Sequence, residues 1–313
     1  LLIAVAVLLV GAKSSDAGYA SIILDADTGE VLRSRNADTR NYPASLTKMM
    51  TLYMLFEELD AGRMLLTDKL PVSKRAAGQP ASKLGLKRGA TISVHMAIMA
   101  LATKSANDVA TVIAEGISGT EWEFAVAMTK RAHALGMKHT RFKNASGLPN
   151  RKQLSSARDM GVLAMAILRD FPHYYDYFSA KSFRYDRKTH RTHNKLLNSY
   201  PGMDGLKTGY IRASGFNLVA SAVRDGRRII AVVFGGRTAR SRDQHMVKLL
   251  DLGFGRGRGR RTAYRGLRRP ACSFARLVAA AFGLCGLAAA KQKLEEGLAL
   301  NPFLGGSRAH ADN

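Results

Sequence analysis

The chain has 313 residues, 46% of them hydrophobic, a proportion ordinary for a globular protein with a buried core, and its length allows one large domain or two small ones. Its formal net charge of +24 predicts an anionic partner, which is nucleic acid, a membrane surface or an acidic polymer. Its two cysteines, Cys272 and Cys285, lie near the C-terminus, which excludes a disulfide framework for the body of the chain.

The first segment, residues 1–12, is an apolar run that is too short to span a bilayer, which needs ~20 residues. It is typical of the apolar part of a secretory signal, with Val10-Gly11-Ala12 or Ser15-Asp16-Ala17 as the cleavage sequence, and a buried first strand or helix is the alternative. We therefore expect residues 1–17 to be an incomplete signal peptide and the protein to be periplasmic.

The next elements are two strands and a helix. Residues 19–24 and 31–34 have the composition of strands, and turn-forming residues separate them. From Ser45 to about Gly62 the apolar residues follow a helical period, on a stripe wide enough to predict a buried helix. Further helices are predicted at residues 91–103, 108–115, 121–135 and 156–168, the last with a capping box at its start.

Three β-rich segments follow, at residues 205–211, 216–223 and 228–234. Asp225-Gly226 between the last two predicts a hairpin, and residues 241–252 predict a closing helix. Strands at both ends of the region with helices between them predict an α/β fold of the α+β type, in which the first and last strands share one mostly antiparallel sheet.

The composition changes after residue 254, so we expect one domain over residues 18–254 and a basic tail over residues 255–313. The tail contains 11 Lys and Arg residues against 3 Asp and Glu residues, and a short apolar run at residues 277–290. Two interpretations remain open for it. One is contact with an anionic membrane surface, and the other is a solvated basic tail with one transient helix.

Three short strings carry chemistry, in this order: Ser45-Leu46-Thr47-Lys48, Ser105-Ala106-Asn107 and Lys207-Thr208-Gly209. A serine hydroxyl needs a base within hydrogen-bond reach, and residues i and i+3 of a helix share a face, so Lys48 is placed to serve Ser45. Lysine acts as a base only when burial or a neighbouring cation lowers its pKa, and Lys207 is a candidate for that cation. The pattern predicts an acyl-transfer enzyme.

Each string is weak by itself. A second S-x-N string, Ser34-Arg35-Asn36, precedes Ser45 and closes a strand, so we discard it. The structural alternatives are a solvated helix lysine at position 48, a helix-capping turn at 105–107 and a charged strand edge at 207–209. The joint occurrence is strong, because each string falls where the chemistry needs it.

On these strings the chain resembles the low-molecular-mass penicillin-binding proteins that are serine-type D-alanyl-D-alanine carboxypeptidases. The similarity covers roughly residues 18–254 and includes the segments 24–32, 155–160, 215–221 and 235–238. It implies the penicillin-binding-protein/β-lactamase-like transpeptidase fold, with an antiparallel sheet of about five strands flanked by a mostly helical region.

The resemblance also implies roles. Ser45 would be the acylated nucleophile, Lys48 its base and Ser105 a proton relay, while Asn107 would hold the substrate backbone and orient Lys48. The substrate-docking strand would contain Lys207, Thr208, Gly209 and Tyr210. Backbone N–H groups of Ser45 and Tyr210 would form the oxyanion hole. Arg242 is the candidate for the terminal carboxylate of the substrate, with Arg237 and Arg240 as rivals.

The implied reaction removes the terminal D-Ala from peptidoglycan stem peptides, and β-lactams would acylate the same serine. Some relatives have His where this chain has Tyr210, which leaves substrate preference open. We expect no cofactor, no metal and no nucleic acid partner, and a location that includes the outer face of the inner membrane if the tail contacts lipid. The alternatives are a class A-like β-lactamase and an inactive basic wall-binding relative.

Overall fold

The fold begins with a β-hairpin and ends with three strands and a long helix, in a computed structural model that describes residues 18–261. The elements in chain order are β1 (Ala20–Asp25), β2 (Val31–Arg35), α1 (Lys48–Asp60), β3 (Lys69–Pro71), α2 (Lys74–Ala77), β4 (Thr91–Ser93), α3 (Val94–Met99), α4 (Asn107–Ser118), α5 (Glu121–Ala134), α6 (Ala157–Asp170), β5 (Ser182–Tyr185), β6 (Lys188–Arg191), α7 (Leu196–Ser199), β7 (Met203–Ile211), β8 (Gly215–Arg224), β9 (Arg227–Gly236) and α8 (Ala239–Arg261). Two 3₁₀ segments, Ala44–Thr47 and Pro172–Ser179, and a π-helical turn at Ala100–Lys104 complete them.

The central sheet has five antiparallel strands in the order β2-β1-β9-β8-β7, which confirms the predicted mixed fold. Asp225 and Gly226 connect β8 to β9 with φ of 51° and 70°, as a two-residue type I′ turn requires. The two termini of the described region thus meet in one sheet, and β7 lies at its edge.

Helices cover both faces of the sheet, which explains why every residue of β1 is buried. Ile22 and Leu24 point into the larger core with α1 and α6, while Ile23 points to the other side, against Met246 and Leu250 of α8. This alternation is the period-2 pattern of a strand that is buried on both faces.

Helix α1 passes through the middle of the helical region and is buried around almost its whole circumference. Met49, Met50, Leu52, Leu55 and Phe56 are each fully excluded from solvent. A helix that is apolar on all sides is stable only where other elements surround it. The surrounding elements therefore hold the start of α1 in a fixed position next to strand β7.

The region predicted as one helix at residues 91–103 is divided in the structure, and that prediction was wrong at its first residues. Thr91–Ser93 forms strand β4 because Ile92 pairs with Leu70 of β3. The Ser93 hydroxyl then accepts the N–H of Met96 and caps α3. After α3 the chain widens into the π-helical turn, which ends at Ser105.

Other differences from the predicted elements concern helix ends and one hairpin. Ser156 caps α6, but the Asp159 carboxylate binds the N–H of His139 and the Thr140 hydroxyl and so does not complete the capping box. Helix α8 continues to Arg261, beyond both the predicted helix end and the predicted domain boundary at 254. The β5–β6 hairpin was not predicted, because its sequence is polar and has no Gly in its turn.

No helix among residues 18–261 is long and apolar enough to cross a membrane. The predicted signal segment at 1–17 lies outside the described residues. So do the apolar run at 277–290 and both cysteines.

Candidate active site

Ser45 lies in the 3₁₀ turn that leads into α1, and Lys48 is the first residue of that helix. The i to i+3 spacing brings the two side chains together, and Lys48 Nζ lies 3.1 Å from Ser45 Oγ. Lys48 is wholly buried, whereas Ser45 lines an open cleft. The structure therefore excludes the alternative of a solvated helix lysine.

Two further acceptors surround the Lys48 amine. Nζ donates to Asn107 Oδ1 at 2.7 Å and to the carbonyl oxygen of Ser146. Asn107 is itself held in place by two hydrogen bonds. Its Nδ2 donates to the carbonyl oxygen of Pro80 at 2.9 Å, and its backbone N–H donates to the carbonyl oxygen of Ser82 at 2.7 Å. When the amine is neutral, these two acceptors take its N–H groups and its lone pair is left for the Ser45 hydroxyl.

Burial and a second cation favour the neutral amine. Burial, followed by the charge of Lys207, holds the pKa of Lys48 well below its usual range, against the opposing charges of Asp108 and Glu121. Lys207 is itself only 2% exposed, and burial together with Arg242 lowers its pKa to about 7. Arg242, Lys207 and Lys48 thus form a series of buried basic side chains, in which the charge on each disfavours the charge on the next.

Ser105 occupies the turn between the π-helical segment and α4 with φ of 60° and ψ of 40°. This left-handed conformation is costly for a residue with a side chain. Its Oγ is buried and has no hydrogen-bond partner within residues 18–261, which costs about 1–3 kcal/mol for an unsatisfied polar group. Because Ser105 also lines the cleft, the strain and the free hydroxyl together indicate a functional residue.

Strand β7 forms one wall of the cleft through Thr208, Gly209 and Tyr210. Lys207 Nζ donates to the carbonyl oxygen of Thr208 at 2.9 Å. A Cβ at position 209 would lie 3.0 Å from the carbonyl oxygen of Pro43, so glycine is what lets the strand pack against the turn that carries Ser45. As the edge strand, β7 has backbone groups without a strand partner, which are free to pair with an extended peptide.

Among the three arginine candidates, only Arg242 lines the cleft; Arg237 and Arg240 are exposed elsewhere. Arg242 is 4% exposed, and its Nη1 donates to the carbonyl oxygen of Asn217 at 2.8 Å while its Nε donates to Asp243 at 2.8 Å. Burial lowers the pKa of Arg242, which remains a cation.

The cleft has a volume of about 560 Å³. It is lined by Ser45, Ala81, Ser82, Ser105, Asn107, Gly147, Leu148, Pro149, His193, Thr208, Gly209, Tyr210, Ile211, Arg212, Phe216, Ala239 and Arg242. This set contains no Asp or Glu among the residues that the structure describes. The electrostatic character of the cleft is therefore cationic.

Sequence reasoning missed the loop at residues 144–150, which supplies the Ser146 carbonyl and the Gly147 backbone. Asn144 Oδ1 accepts the N–H of Gly147 at 2.7 Å, and buried Glu121 accepts the N–H of Ala145 at 3.2 Å. The string Asn144-Ala145-Ser146-Gly147 is turn chemistry and was the available signal. Its place beside Ser45 depends on contacts across the fold, so spacing did not reveal it.

Two histidines near the cleft, His190 and His193, lie in different surroundings. His190 is in β6 and stacks on Phe183, with ring centroids 5.1 Å apart, and His193 lines the cleft. Within residues 18–261 no group of His, Cys, Asp and Glu side chains is arranged to hold a metal ion.

Comparison with known proteins identifies similar chains. A sequence model of the D-alanyl-D-alanine carboxypeptidases, peptidase S11, matches residues 10–238. The chain is 36% identical over 253 residues to D-alanyl-D-alanine carboxypeptidase DacF of Bacillus subtilis, covering 78% of this chain and 64% of that protein. It is 37% identical over 240 residues to DacA of Escherichia coli, covering 74% of this chain and 60% of that one. The chain thus spans less than two thirds of the length of these relatives.

Solved structures are also similar. Penicillin binding protein 5 from Haemophilus influenzae matches with a TM-score of 0.73 and 36% identity, over 75% of this chain and 70% of that one. Penicillin-Binding Protein D2 from Listeria monocytogenes, in its ampicillin-bound form, matches with a TM-score of 0.69 and 31% identity, over 75% and 96% of the two chains. These similarities confirm the predicted transpeptidase fold.

Proposed function

The chain belongs to the D-alanyl-D-alanine carboxypeptidase family, peptidase S11, and from this membership we propose that it removes the terminal D-alanine from peptides ending in D-Ala-D-Ala. The observation that carries the proposal is the buried Lys48 amine, 3.1 Å from the Ser45 hydroxyl at the edge of an open cleft. A base with a lowered pKa beside a serine is the arrangement that nucleophilic acyl transfer needs.

In the first half of the reaction, Ser45 Oγ attacks the carbonyl carbon of the penultimate D-alanine while Lys48 Nζ takes the hydroxyl proton. The oxyanion of the tetrahedral intermediate is stabilised by backbone N–H groups, for which Ser45 and Tyr210 are the candidates. The C–N bond then breaks, the amine of the terminal D-alanine receives the proton, and an ester remains on Ser45. Ser105 is the candidate relay for that proton, because its Oγ is buried at the cleft wall without a competing partner.

In the second half, water attacks the ester carbonyl carbon and gives its proton to Lys48. The ester C–O bond breaks, Ser45 Oγ regains a proton, and the shortened peptide leaves with a free carboxylate. Asn107 keeps the amine in place throughout, through its 2.7 Å hydrogen bond with Nζ. Lys207 keeps the pKa of Lys48 low, so that the amine returns to the neutral form after each cycle.

The substrate backbone would lie along β7, at Thr208, Gly209 and Tyr210, with Arg242 binding its terminal carboxylate. Arg242 is the candidate because a guanidinium binds a carboxylate through two parallel hydrogen bonds and because it alone of the three arginines reaches the cleft. The β-lactamase alternative receives no support from the cleft lining, where the described residues include no carboxylate to activate a water.

We propose that β-lactams acylate Ser45 and that the protein works at the peptidoglycan, in the periplasm. Ampicillin-bound and cefotaxime-bound forms of Penicillin-Binding Protein D2 have this fold, which supports the first point. The apolar sequence at 1–12 supports export, and the basic sequence at 255–313 supports contact with an anionic membrane surface. We propose, in addition, a role in cell shape.

The test is release of D-alanine from a peptide ending in Lys-D-Ala-D-Ala, measured for the wild type, Ser45→Ala and Ser34→Ala. Ser34 belongs to the discarded string and lies on β2, so it is a matched control. Release by the wild type and the control, and none by Ser45→Ala, would support the proposal. No release by any of the three would refute the carboxypeptidase activity and favour an inactive wall-binding protein.

A further inference from the structure

Glu121, the first residue of α5, is a buried carboxylate to which the proposed reaction gives no step. Acidic side chains are almost never fully buried unless they are paired. Glu123, in the same helical turn, is exposed and accepts a hydrogen bond from the N-cap residue Thr120 at 2.7 Å. A position near the helix N-terminus favours both carboxylates, so it does not explain why Glu121 is buried.

One oxygen of the Glu121 carboxylate contacts the loop that holds the Lys48 amine. Glu121 Oε1 accepts the backbone N–H of Ala145 at 3.2 Å. The carbonyl oxygen of the next residue, Ser146, accepts a hydrogen bond from Lys48 Nζ. A shift of the carboxylate would therefore be transmitted to an acceptor of the amine through two consecutive residues.

The same carboxylate oxygen also lies near the second acceptor of the amine, Asn107. The Thr111 hydroxyl on α4 lies 3.5 Å from Glu121 Oε1 and 3.4 Å from the carbonyl oxygen of Asn107. Asn107 and Thr111 are four residues apart on one helix face, which keeps this hydroxyl beside the Asn107 backbone. Glu121 thus supports both acceptors of Lys48, although it belongs to none of the three sequence strings.

The other oxygen of the Glu121 carboxylate binds a cation at the surface. Glu121 Oε2 accepts hydrogen bonds from Arg75 Nη2 at 2.6 Å and from Arg75 Nε at 3.0 Å. The Arg75 side chain is 63% exposed, whereas the Glu121 side chain is 3% exposed. Water screens the exposed cation of this pair more strongly than it screens two buried groups from each other. The negative charge of Glu121 therefore still acts on the buried Lys48 amine.

Charged and titratable groups from four parts of the fold face the Lys48 amine. Burial and Lys207 on β7 lower the pKa of Lys48, while Asp108 on α4 and Glu121 on α5 oppose that effect. His193, after β6, is neutral during the reaction because burial and the neighbouring lysines lower its pKa to about 4. Proton transfer from the serine creates an ammonium group in this buried site, and a buried cation needs a negative charge near it.

We propose that Glu121 is a positioning residue for acylation, which holds the two acceptors of the Lys48 amine and stabilises the ammonium group formed when the serine loses its proton. The inference rests on the proposed function, because that function makes Lys48 the base. Glu121 acts through Ala145 and Thr111 and does not itself exchange a proton. A glutamine at this position could accept the same N–H and hydroxyl groups, but it could not balance the charge of the ammonium group.

The experiment measures acylation by a labelled penicillin and release of D-alanine as functions of pH. Glu121→Gln and Arg75→Gln break the same ion pair from opposite ends, so they share any effect of losing the pair itself. Glu123→Gln is the matched control, because it removes one negative charge from the same helical turn at an exposed position. A glutamine also fits a capping box there, and thermal unfolding shows whether each variant is folded.

For Glu121→Gln we expect the acidic limb of the pH profile of acylation to move to lower pH. The rate on the plateau should fall about ten- to a hundredfold, because the acceptors shift and the base is weaker. Arg75→Gln leaves the charge of Glu121 without its neutralising partner, so the limb should move to higher pH. Glu123→Gln should keep the wild-type profile.

An unmoved limb in either ion-pair variant would overturn the inference, and so would limbs that move in the same direction in both, because a purely structural contact gives these results. A limb that moves as far in Glu123→Gln as in Glu121→Gln would overturn it as well. If Glu121→Gln does not fold, the direction of the limb in Arg75→Gln gives the answer. Absence of acylation and of D-alanine release in the wild type would instead be the failure of the proposed function.

Discussion

Replacing Gly147 by alanine is expected to disable the site with little effect on the rest of the fold. Gly147 has φ of +85°, and a Cβ there would lie 1.8 Å from the carbonyl oxygen of Ala44 and 2.9 Å from the backbone nitrogen of Ser45. Real Cβ contacts stay beyond 3.0 Å, so the two backbones must separate by about 1.2 Å. The separation pulls the Ser146 carbonyl from Lys48, or moves Ser45 from its base.

A misplacement of about 1 Å in a reacting group costs roughly 10²-fold in rate. We therefore expect acylation of Gly147→Ala by a labelled penicillin, and its release of D-alanine, to fall by about two orders of magnitude. The left-handed backbone adds an instability of about 1–2 kcal/mol, because alanine avoids positive φ. Stopped-flow acylation and thermal unfolding separate the two effects.

Gly136→Ala is the matched control. Gly136 also has a positive φ, +87°, but a Cβ there meets nothing within 4 Å. Its alanine variant should lose a similar amount of stability and keep its acylation rate. If Gly147→Ala is acylated within about threefold of the wild-type rate, the loop does not position the lysine and the reasoning is wrong.

Four other predictions concern Lys207, Arg242 and Asp108. Lys207→Gln removes a cation that lowers the pKa of Lys48, so the acidic limb of the pH profile of acylation should move to higher pH; an unmoved limb would contradict the coupling. Burial lowers the pKa of Lys207 to about 7, so above that pH the folded state binds fewer protons than the unfolded state. The free energy of unfolding should therefore rise from pH 7 to 10, and it should rise more steeply in the wild type than in Lys207→Gln. Chemical denaturation across this pH range would measure the difference. Arg242→Gln should raise KM for a D-Ala-D-Ala peptide by about 10- to 100-fold, whereas Arg240→Gln, on the exposed surface, should leave KM unchanged. Equal effects of the two substitutions would show that Arg242 does not bind the terminal carboxylate. Asp108→Asn replaces a buried carboxylate that accepts three backbone N–H groups of residues 84–86. The substitution should lower the midpoint of thermal unfolding by about 5 °C, and an unchanged midpoint would contradict this expectation.

Local sequence was enough for the elements whose pattern is local. The apolar stripe after Ser45 predicted a buried helix, and Asp225-Gly226 predicted the β8–β9 hairpin, which the structure confirms. The β4 strand escaped prediction because three residues carry too little pattern, and pairing of Ile92 with Leu70 decided it. The β5–β6 hairpin was not predicted because its turn, at Asp186 and Arg187, adopts positive φ without glycine.

The sequence by itself placed Ser45 and Lys48 on one helical turn, since the i to i+3 distance is set by backbone geometry alone. Tertiary structure decided the rest of the environment of that lysine. Asn107, Ser146 and Lys207 reach it from 59 to 159 residues away, and no spacing rule connects them. Because the pKa of an amine depends on which groups exclude water from it and which charges face it, the chemistry of Lys48 is a property of the folded chain and not of its motif.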